Sequence, residues 1–315
     1  MEGSGGAYRM TEQKSLLNEF IEEFHIQCYR GVMMRDYTSL RIGGEAPCLL
    51  VPDDAMGLKS LVDILRVEDR GYLIIGGGTN MLIKDGGVDE VVISLKNFGT
   101  HQIVRDDGDD VVYFAQAGVS LQAVVRETIN KGLTGMEGLI GIPGTVGGAL
   151  FGNAGAYGYQ IMDVVEKVTI LREGVLRIFN REELYYGYRT GGFLEGDVVL
   201  GVHLLLRKGD SEEIKKAAQG YLREKKKTQP LGEPSAGCVF KNPEGVSAGR
   251  LIEESGLKGM RVGDIEVSRV HANFFINKGR GSSQDFIRLM DMVREKVLSD
   301  HGVVLEPEIR IYGKD

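Results

Sequence analysis

One short loop of this sequence combines side chains that could hold and protonate a charged ligand. Residues 234–243 read PSAGCVFKNP, so a single thiol, Cys238, lies between two prolines and is followed closely by Lys241 and Asn242. A thiol has a pKa near ~8.5, well below that of an alcohol, and can therefore act as a proton source. The cation and the amide can bind a charged or polar group. The residues alone equally allow a small buried hydrophobic cysteine, which is the more ordinary role.

Two glycine-rich stretches could bind phosphate through their backbone amides. The first, IIGGGTN (74–80), runs from an apolar strand into three glycines, a turn that can present successive N–H groups to an anion. A simple tight turn is an equally good interpretation of this stretch alone. A second stretch, GIPGTVGGALFGNAGAYG (141–158), strengthens the ligand-binding interpretation. Neither stretch follows the G-x-G-x-x-G pattern at the start of a helix, and no GK[ST] is present, which argues against Rossmann and P-loop sites.

The composition limits the class of protein. The 315 residues suffice for two or three domains, and a net charge of −7 argues against a nucleic-acid partner. Three cysteines without a CxxC pair argue against a disulfide framework or a metal site, and they favour a reducing cytoplasmic location. No apolar run approaches the ~18 residues of a membrane span, and the first residues lack the pattern of a signal peptide. We therefore expect a cytoplasmic protein without membrane contact.

Hydrophobic periodicity predicts the elements that must position these residues. Apolar residues at helical spacing predict an N-terminal helix within 11–29, and α/β segments follow up to a domain boundary near residue 208. Acidic residues in the first turn and lysines in the last turn support a helix over 211–230. The other predicted helices are 53–66, 120–132 and 283–300. The predicted strands are 47–51, the strand and glycine turn of 71–83, 88–95, 111–119, 164–171, 175–179, 197–206, 272–277 and 303–313.

Seven sequence blocks, taken in order, resemble one enzyme family. The chain is similar to the UDP-N-acetylenolpyruvoylglucosamine reductases (the MurB family) over roughly residues 35–313. A short connection before the 211–228 helix makes it similar to the shorter second type, which lacks the segment that supplies a substrate tyrosine in the longer type. The blocks are YTSLRIGG (37–44), IIGGGTNMLI (74–83), GIPGTVGGALFGNAGAYG (141–158), YGYRTGGF (186–193), PSAGCVFKNP (234–243), VSRVHANFFIN (267–277) and LEPEIRIYG (305–313).

The resemblance implies an α+β fold with three parts. Residues 1–34 would form an N-terminal tail and helix. Residues 35–207 would form an FAD-binding domain of the vanillyl-alcohol-oxidase (PCMH) type, made of two α/β subdomains at about 35–100 and 101–207. Residues 208–315 would form a smaller α+β substrate-binding domain.

The resemblance also implies a reaction and three catalytic residues. NADPH would reduce noncovalently bound FAD, and the reduced flavin N5 would give hydride to the double bond of UDP-N-acetylglucosamine enolpyruvate. Arg189 matches the arginine that engages the substrate carboxylate, and Glu308 matches the glutamate that assists enol stabilisation or proton delivery. On a strand Glu306 and Glu308 would share one face, so only the motif favours Glu308. Cys238 stands where most members carry serine as the proton donor, and we expect retained function with added sensitivity to alkylating agents and oxidants.

The remaining site residues follow from the same blocks. The substrate would contact Tyr188, Lys241, Asn242, Tyr157 and His271. The expected assembly is a monomer or weak oligomer. The expected FAD-binding residues are Gly76, Gly77, Gly78, Thr79, Asn80, Met81, Gly141, Ile142, Pro143, Gly144, Gly147, Gly148, Asn153 and Gly155.

Two other functions remain open at the level of sequence. The chain could be a different flavin oxidoreductase on the same fold, which would keep the glycine blocks but not the YR, FKNP and LEPE combination. It could also be a non-catalytic protein that binds UDP-sugars or flavin, in which Cys238 marks lost chemistry.

Overall fold

The computed structural model describes residues 15–315, whose strands form five sheets. The α-helices in this range are α1 (Leu16–Glu23), α2 (Ala55–Val67), α3 (Leu121–Asn130), α4 (Val146–Phe151), α5 (Ser211–Thr228), α6 (Ala248–Glu254) and α7 (Ser283–His301). The strands are β1 (Gln27–Met33), β2 (Glu45–Val51), β3 (Tyr72–Ile75), β4 (Met81–Ile83), β5 (Val91–Ser94), β6 (His101–Asp107), β7 (Asp110–Gln116), β8 (Leu133–Thr134), β9 (Gly155–Ala156), β10 (Tyr159–Gln160), β11 (Val165–Arg172), β12 (Val175–Asn180), β13 (Val198–Lys208), β14 (Arg261–Val262), β15 (Ile265–Val267), β16 (Phe275–Asn277) and β17 (Arg310–Tyr312). Within the described range, no helix has the length and apolar character needed to cross a bilayer.

The first sheet places a glycine turn at its edge. Its order is β1-β2-β5-β3, with β1 antiparallel to β2 and with β2, β5 and β3 mutually parallel. Asp54 caps helix α2 by accepting two backbone N–H bonds, and the buried residues of α2 recur at helical spacing. Strand β3 ends at Ile75, so residues 76–80 leave the sheet at the carboxyl end of the parallel strands, where ligands commonly bind in open α/β sheets. The buried residues of α2 are Leu58, Leu61, Val62 and Leu65.

The second sheet is antiparallel and supports the second glycine stretch. Its order is β12-β11-β13-β7-β6, and β8 pairs with β13. Strand β13 is the long central strand, with 11 residues. Helix α4 begins after Thr145, whose side chain accepts from the amide of Gly148. The 141–158 stretch therefore includes a loop, the short helix α4 and strand β9, which pairs with β10 just beyond it.

The C-terminal part combines a three-stranded sheet, β14-β15-β16, with helices α6 and α7. Ser282 and Asp285 form a capping box at the start of α7, and Gly302 ends that helix in the left-handed conformation with φ 69°. Strand β17 then leaves this part and pairs in parallel with β4, with Arg310 opposite Met81. The last strand thus returns to the neighbourhood of the first glycine turn.

The packing bears on the expected domain limits, which stay a prediction. One large buried cluster joins the first two sheets, and it also contains Ile214 and Ala218 of α5. A separate cluster is formed mainly by the C-terminal part, together with Leu40, Ile42 and Leu82. The contacts therefore group α5 with the N-terminal core rather than with residues beyond the boundary expected near 208.

Three local predictions were wrong in their extent. The predicted N-terminal helix ends at Glu23, His25 has φ 52°, and β1 begins at Gln27 because it pairs with β2. Residues 1–14, and with them the start of that prediction, lie outside the described residues. The strands predicted over 303–313 and 272–277 shrink to β17 and β16, because the flanking segments make only isolated bridges such as Phe240 with Pro307.

Candidate active site

A tight two-residue turn presents Arg189. Gly187 and Thr190 exchange both backbone hydrogen bonds, 2.9 and 3.2 Å long, and Arg189 between them has φ 58°. Such a φ is uncommon for a residue with a side chain and persists where the surroundings hold it, often at functional sites. The buried side chain of Asn153 donates to the Gly187 carbonyl at 2.8 Å. This bond anchors the turn to the second glycine stretch.

Arg189 and Glu308 form an ion pair in a mostly buried setting. Arg189 Nε lies 3.0 Å from Glu308 Oε1, and the two side chains are 23% and 18% exposed. The same guanidinium donates from an Nη to the Gly155 carbonyl at 3.2 Å and lies 5.1 Å from the ring centre of Tyr188. Among the described residues, the buried Nε has no hydrogen bond of regular geometry. Because a guanidinium carries five N–H donors, the Nη groups of Arg189 still have donors for a further carboxylate.

The segment that carries Cys238 lies between two other segments of the C-terminal part. On one side, the backbone carbonyl of Asn273 accepts from the Val239 amide at 2.8 Å. The side chain of Asn273 also accepts from the backbone amide of Phe240 and donates to its carbonyl. On the other side, the Glu308 amide donates to the Val239 carbonyl at 2.8 Å. Cys238 and Glu308 are consequently held next to each other by backbone hydrogen bonds.

The charges of the site act on the thiol and on the carboxyl group. Burial of the thiol, followed by the negative charge of Glu308, raises the pKa of Cys238 to about 12, while Arg189 opposes this shift. Burial also raises the pKa of Glu308, although Arg189 and Lys241 act in the opposite direction. The thiol therefore keeps its proton at neutral pH. Reaction with alkylating agents and oxidants requires the thiolate, so a raised pKa acts against the expected sensitivity of Cys238, which stays a prediction.

The two glutamates of the LEPE block are separated by their surroundings. Glu306 pairs with Lys241 at 2.5 Å and its side chain is 70% exposed, whereas Glu308 is mostly buried beside Arg189. The charge of Lys241 is therefore paired with a solvent-exposed carboxylate, and such an ion pair is weak in water. Its predicted contact with substrate remains a prediction.

Asn242 and Tyr188 connect the thiol segment to the arginine turn. The backbone amide of Asn242 donates to the Tyr188 hydroxyl at 3.2 Å. The side-chain carbonyl of Asn242 accepts from the backbone amide of Ala248, the first residue of α6, at 3.0 Å. Two of the predicted substrate residues therefore contact each other directly. Within residues 15–315 the Asn242 side-chain NH₂ donates no hydrogen bond to protein, and its contact with substrate remains a prediction.

The two glycine stretches meet face to face. A Cβ on Gly78, which has φ 60°, would lie 2.0 Å from the Tyr37 carbonyl oxygen, and one on Gly144 (φ 109°) would lie 2.8 Å from Thr79 Oγ1. Only glycine permits this backbone conformation together with this approach. Gly76 and Gly77 likewise lie against Thr145 and Gly144.

The contact leaves a row of backbone donors for a ligand. Within residues 15–315, the amides of Gly77, Gly78, Thr79, Gly144 and Thr145 make no hydrogen bond to protein. Successive unpaired N–H groups form an anion-binding concavity. This donor set fits the diphosphate of FAD and supports the predicted contacts of both stretches.

Two polar residues tie the first glycine turn to the catalytic segments. The sequence alone assigned no role to Ser39. In the structure its backbone amide donates to the Gly78 carbonyl at 3.0 Å and its hydroxyl donates to the Ser235 carbonyl at 2.7 Å. Asn80 donates from its side chain to the Glu308 carbonyl at 3.3 Å. The glycine turn and the thiol segment are therefore held in register across the two cores.

The other predicted ligand residues take varied positions. Ile142 and Pro143 lie in the loop before α4, Gly147 and Gly148 lie within α4, and Met81 is buried at the start of β4. Asn153 uses both side-chain N–H groups inside the protein, on Gln160 and Gly187, so its side chain positions the arginine turn. Gly155 supplies the carbonyl that accepts from Arg189.

Two predicted substrate residues are engaged away from the Arg189–Glu308 pair. Tyr157 stacks on Tyr221 of α5 at 4.6 Å, and its hydroxyl donates to the Tyr221 carbonyl at 3.2 Å. His271 packs on Phe274 at 4.9 Å and its Nδ1 accepts from the Asn273 amide at 3.3 Å. Burial lowers the pKa of His271, which favours the neutral ring. The ring of His271 contacts Asn273 and Phe274, which in turn bond to the thiol segment. Its contact with substrate stays a prediction.

Sequence reasoning missed Asn273 and Lys225. Asn273 is 1% exposed inside the apolar stretch ANFFIN, and a polar residue surrounded by buried ones was the available signal. Lys225 is 2% exposed. Its place could be found from helical spacing, because it follows Ile214 and Ala218 on the apolar face of α5.

Comparison with known proteins agrees with this architecture. A family model described as an FAD binding domain matches residues 46–174, and one described as the UDP-N-acetylenolpyruvoylglucosamine reductase C-terminal domain matches residues 229–312. The reductase of that name from Geotalea uraniireducens is 43% identical over 90% of this chain and 93% of its own length. The one from Geobacter metallireducens is 41% identical over 91% of this chain and 96% of its own length. The crystal structure of the Thermus caldophilus enzyme superposes with a TM-score of 0.78 at 37% identity, covering 91% of this chain and 100% of that one.

Fold and site together define an FAD-dependent oxidoreductase of α+β architecture, with an FAD-binding domain of the vanillyl-alcohol-oxidase (PCMH) type and a C-terminal domain. The relatives are matched over nearly their whole length. The chain belongs to the UDP-N-acetylenolpyruvoylglucosamine reductase family, and the resemblance seen in the sequence blocks is confirmed.

Proposed function

We propose that this protein is a UDP-N-acetylmuramate dehydrogenase, which reduces UDP-N-acetylglucosamine enolpyruvate with NADPH during the synthesis of peptidoglycan precursors. The observation that carries the proposal is the convergence of Arg189, Glu308 and Cys238 beside the glycine turns. Family membership supports the substrate. A cytoplasmic location, a monomeric or weakly associated state and a role in cell shape and division follow from this function.

FAD, held noncovalently by the glycine turns, would supply the hydride that NADPH delivers to the enolpyruvyl double bond. Arg189 would bind the carboxylate of the substrate, because Glu308 and Gly155 fix its guanidinium and the Nη groups supply further N–H donors. Its positive charge would stabilise the negative charge that develops on the carboxylate side of the double bond. Tyr188 and Asn242 would contact the rest of the substrate.

Cys238 would complete the reaction by giving its thiol proton to the substrate carbon that carries the negative charge. Hydride and proton together saturate the double bond, and the thiolate left on Cys238 takes a proton from solvent. With a pKa of about 12, the thiol is fully protonated before reaction. The positive charge of Arg189 opposes that upward shift, so it favours the thiolate that forms. Glu308 would assist by holding Arg189 in place.

Anaerobic half-reactions test this proposal. The purified protein is expected to be yellow, to be bleached by NADPH and to regain its colour on addition of the enolpyruvyl substrate. Colour that NADPH bleaches but this substrate does not restore would show a different flavin oxidoreductase. A colourless protein that binds UDP-sugars would overturn the enzymatic function.

A further inference from the structure

Lys225 is a buried cation on the inner face of α5. Its residue exposure is 2%, and its Nζ donates to the Ile140 carbonyl at 2.6 Å. Its neighbours Lys226 and Lys227 are exposed. A lysine is rarely buried unless an acid pairs with it, because transfer of the ammonium group out of water is costly. The position therefore calls for an explanation of what balances the charge.

Among the described residues, no carboxylate lies within ion-pair distance of Lys225 Nζ. An ammonium group has three N–H donors, and the Ile140 carbonyl is the one protein acceptor that the described residues give it. Burial lowers the pKa of Lys225 to about 8. The group is thus a cation with donors to spare and with no protein anion beside it.

The surroundings of Lys225 belong to the second glycine stretch. A Cβ on Gly141 would lie 3.2 Å from Lys225 Cδ, and the Tyr157 ring centre lies 5.6 Å from Nζ. Gln122 holds the same loop, accepting from the Gly141 amide at 2.7 Å and donating to the Ile142 carbonyl at 2.8 Å. Gln122 already holds the loop. Burial of the Lys225 charge costs stability, and a purely structural role for its hydrogen bond does not explain that cost.

We propose that Lys225 supplies positive charge to an anionic part of bound FAD through the 140–142 loop, which its buried ammonium group holds by the Ile140 carbonyl. The anion is either the diphosphate or the reduced isoalloxazine ring, and a buried cation nearby stabilises negative charge on either of them. Lys225 lies between the two segments matched by family models, 46–174 and 229–312. The proposal rests on the FAD-dependent function proposed above.

Cofactor affinity of the holoenzyme tests the proposal without any measurement of turnover. Lys225→Met removes the charge, and Lys225→Gln keeps a hydrogen-bond donor but not the charge. Lys226→Met is the matched control, since it removes an exposed lysine from the same helix. FAD release would be followed by flavin fluorescence during dialysis. We expect FAD to bind about tenfold or more weakly to both Lys225 variants, and Lys226→Met to stay within about twofold of the parent.

The midpoint potential of the flavin distinguishes the two anions. If the reduced ring is the partner, the Lys225 substitutions weaken binding of reduced FAD about tenfold more than binding of oxidised FAD. The midpoint potential of the bound flavin then falls by about 30 mV for this two-electron couple. If the diphosphate is the partner, both redox forms lose affinity equally and the potential is unchanged. Parent-like FAD affinity and potential in both Lys225 variants would overturn the proposal. A parent protein that binds no FAD would instead overturn the proposed function. Should Lys225→Met fail to fold, as judged by circular dichroism, Lys225→Gln decides.

Discussion

Arg189 Nε lies 3.0 Å from Glu308 Oε1, so an arginine in the turn between β12 and β13 and a glutamate just before β17 form one ion pair. The pair has a specific chemical consequence. A substrate carboxylate that binds Arg189 must share the guanidinium with Glu308 rather than find it free. The planar fork of Arg189 makes such sharing feasible, because Nε faces Glu308 and the Nη groups can bind the substrate carboxylate.

Replacing Arg189 with methionine is expected to slow reoxidation of the reduced flavin by the enolpyruvyl substrate about 100-fold or more. The variant keeps an unbranched side chain but loses the charge that stabilises the developing negative charge. Flavin reduction by NADPH should stay within about twofold of the parent. Anaerobic stopped-flow absorbance separates the two steps. Arg177→Met, at an exposed arginine of β12, is the control, and an unchanged reoxidation rate in Arg189→Met would remove its assigned role.

Two substitutions at Cys238 separate proton donation from packing. Cys238→Ser keeps a donor of similar size, and we expect it to retain substantial turnover. Cys238→Ala removes the proton and should lose reoxidation by substrate about 100-fold or more, with flavin reduction by NADPH intact. The same stopped-flow measurement applies. Parent-like reoxidation in Cys238→Ala would show that the proton comes from elsewhere.

Alkylation should spare Cys238 in the folded protein. Its pKa of about 12 leaves roughly one thiol in ten thousand as thiolate at pH 8. Cys28 is the internal reference, because Cys28 and Cys238 are both partly exposed and a difference in labelling would therefore report the raised pKa of Cys238. Peptide mass spectrometry after iodoacetamide treatment is expected to find label on Cys28 first and on Cys238 only after unfolding. Faster labelling of Cys238 than of Cys28 would contradict the raised pKa.

The stability of the FAD-free protein should depend on pH through Lys225. Its folded pKa of about 8 lies below the ordinary ~10.4 of the unfolded chain. Between these values the unfolded chain binds more protons, so the free energy of unfolding rises with pH. Relative to Lys225→Met, the parent is expected to gain stability between pH 8 and about 10, as measured by urea unfolding. The free energy of unfolding of Lys226→Met should differ from that of the parent by the same amount at every pH in this range. If the difference between the parent and Lys225→Met is also independent of pH, the lowered pKa of Lys225 is contradicted.

Local patterns in the sequence predicted most of this fold. The helices α2, α3, α5 and α7 lie where apolar spacing and capping residues place them, because those signals act over a few residues. Strand β1 was missed because its pairing with β2, and not its own helix-like pattern, decides its conformation. Likewise, the length of β17 depends on β4, a partner distant in the chain.

The candidate site could be predicted only where motifs carried it. The spacing of Glu306 and Glu308 left both open, and burial beside Arg189 now separates them. The raised pKa of Cys238 could not be predicted, since it depends on burial and on the charge of Glu308. Glu308 is 70 residues further along the chain, and only the tertiary fold brings the two together. The buried state of Lys225 was hidden because KKKT reads as a solvated run unless the helical face is followed.

The pairing of β17 with β4 links Glu308 to the order in which the chain is made. Asn80 and Glu308, joined by a hydrogen bond, are 228 residues apart in sequence. Contacts of such separation are slow to form, because a long loop must close first. A ribosome-bound chain could complete the first glycine turn early, yet the Arg189–Glu308 pair must wait until residues 308–312 emerge. Catalytic competence is thus expected only after the segment that carries β17 has been made.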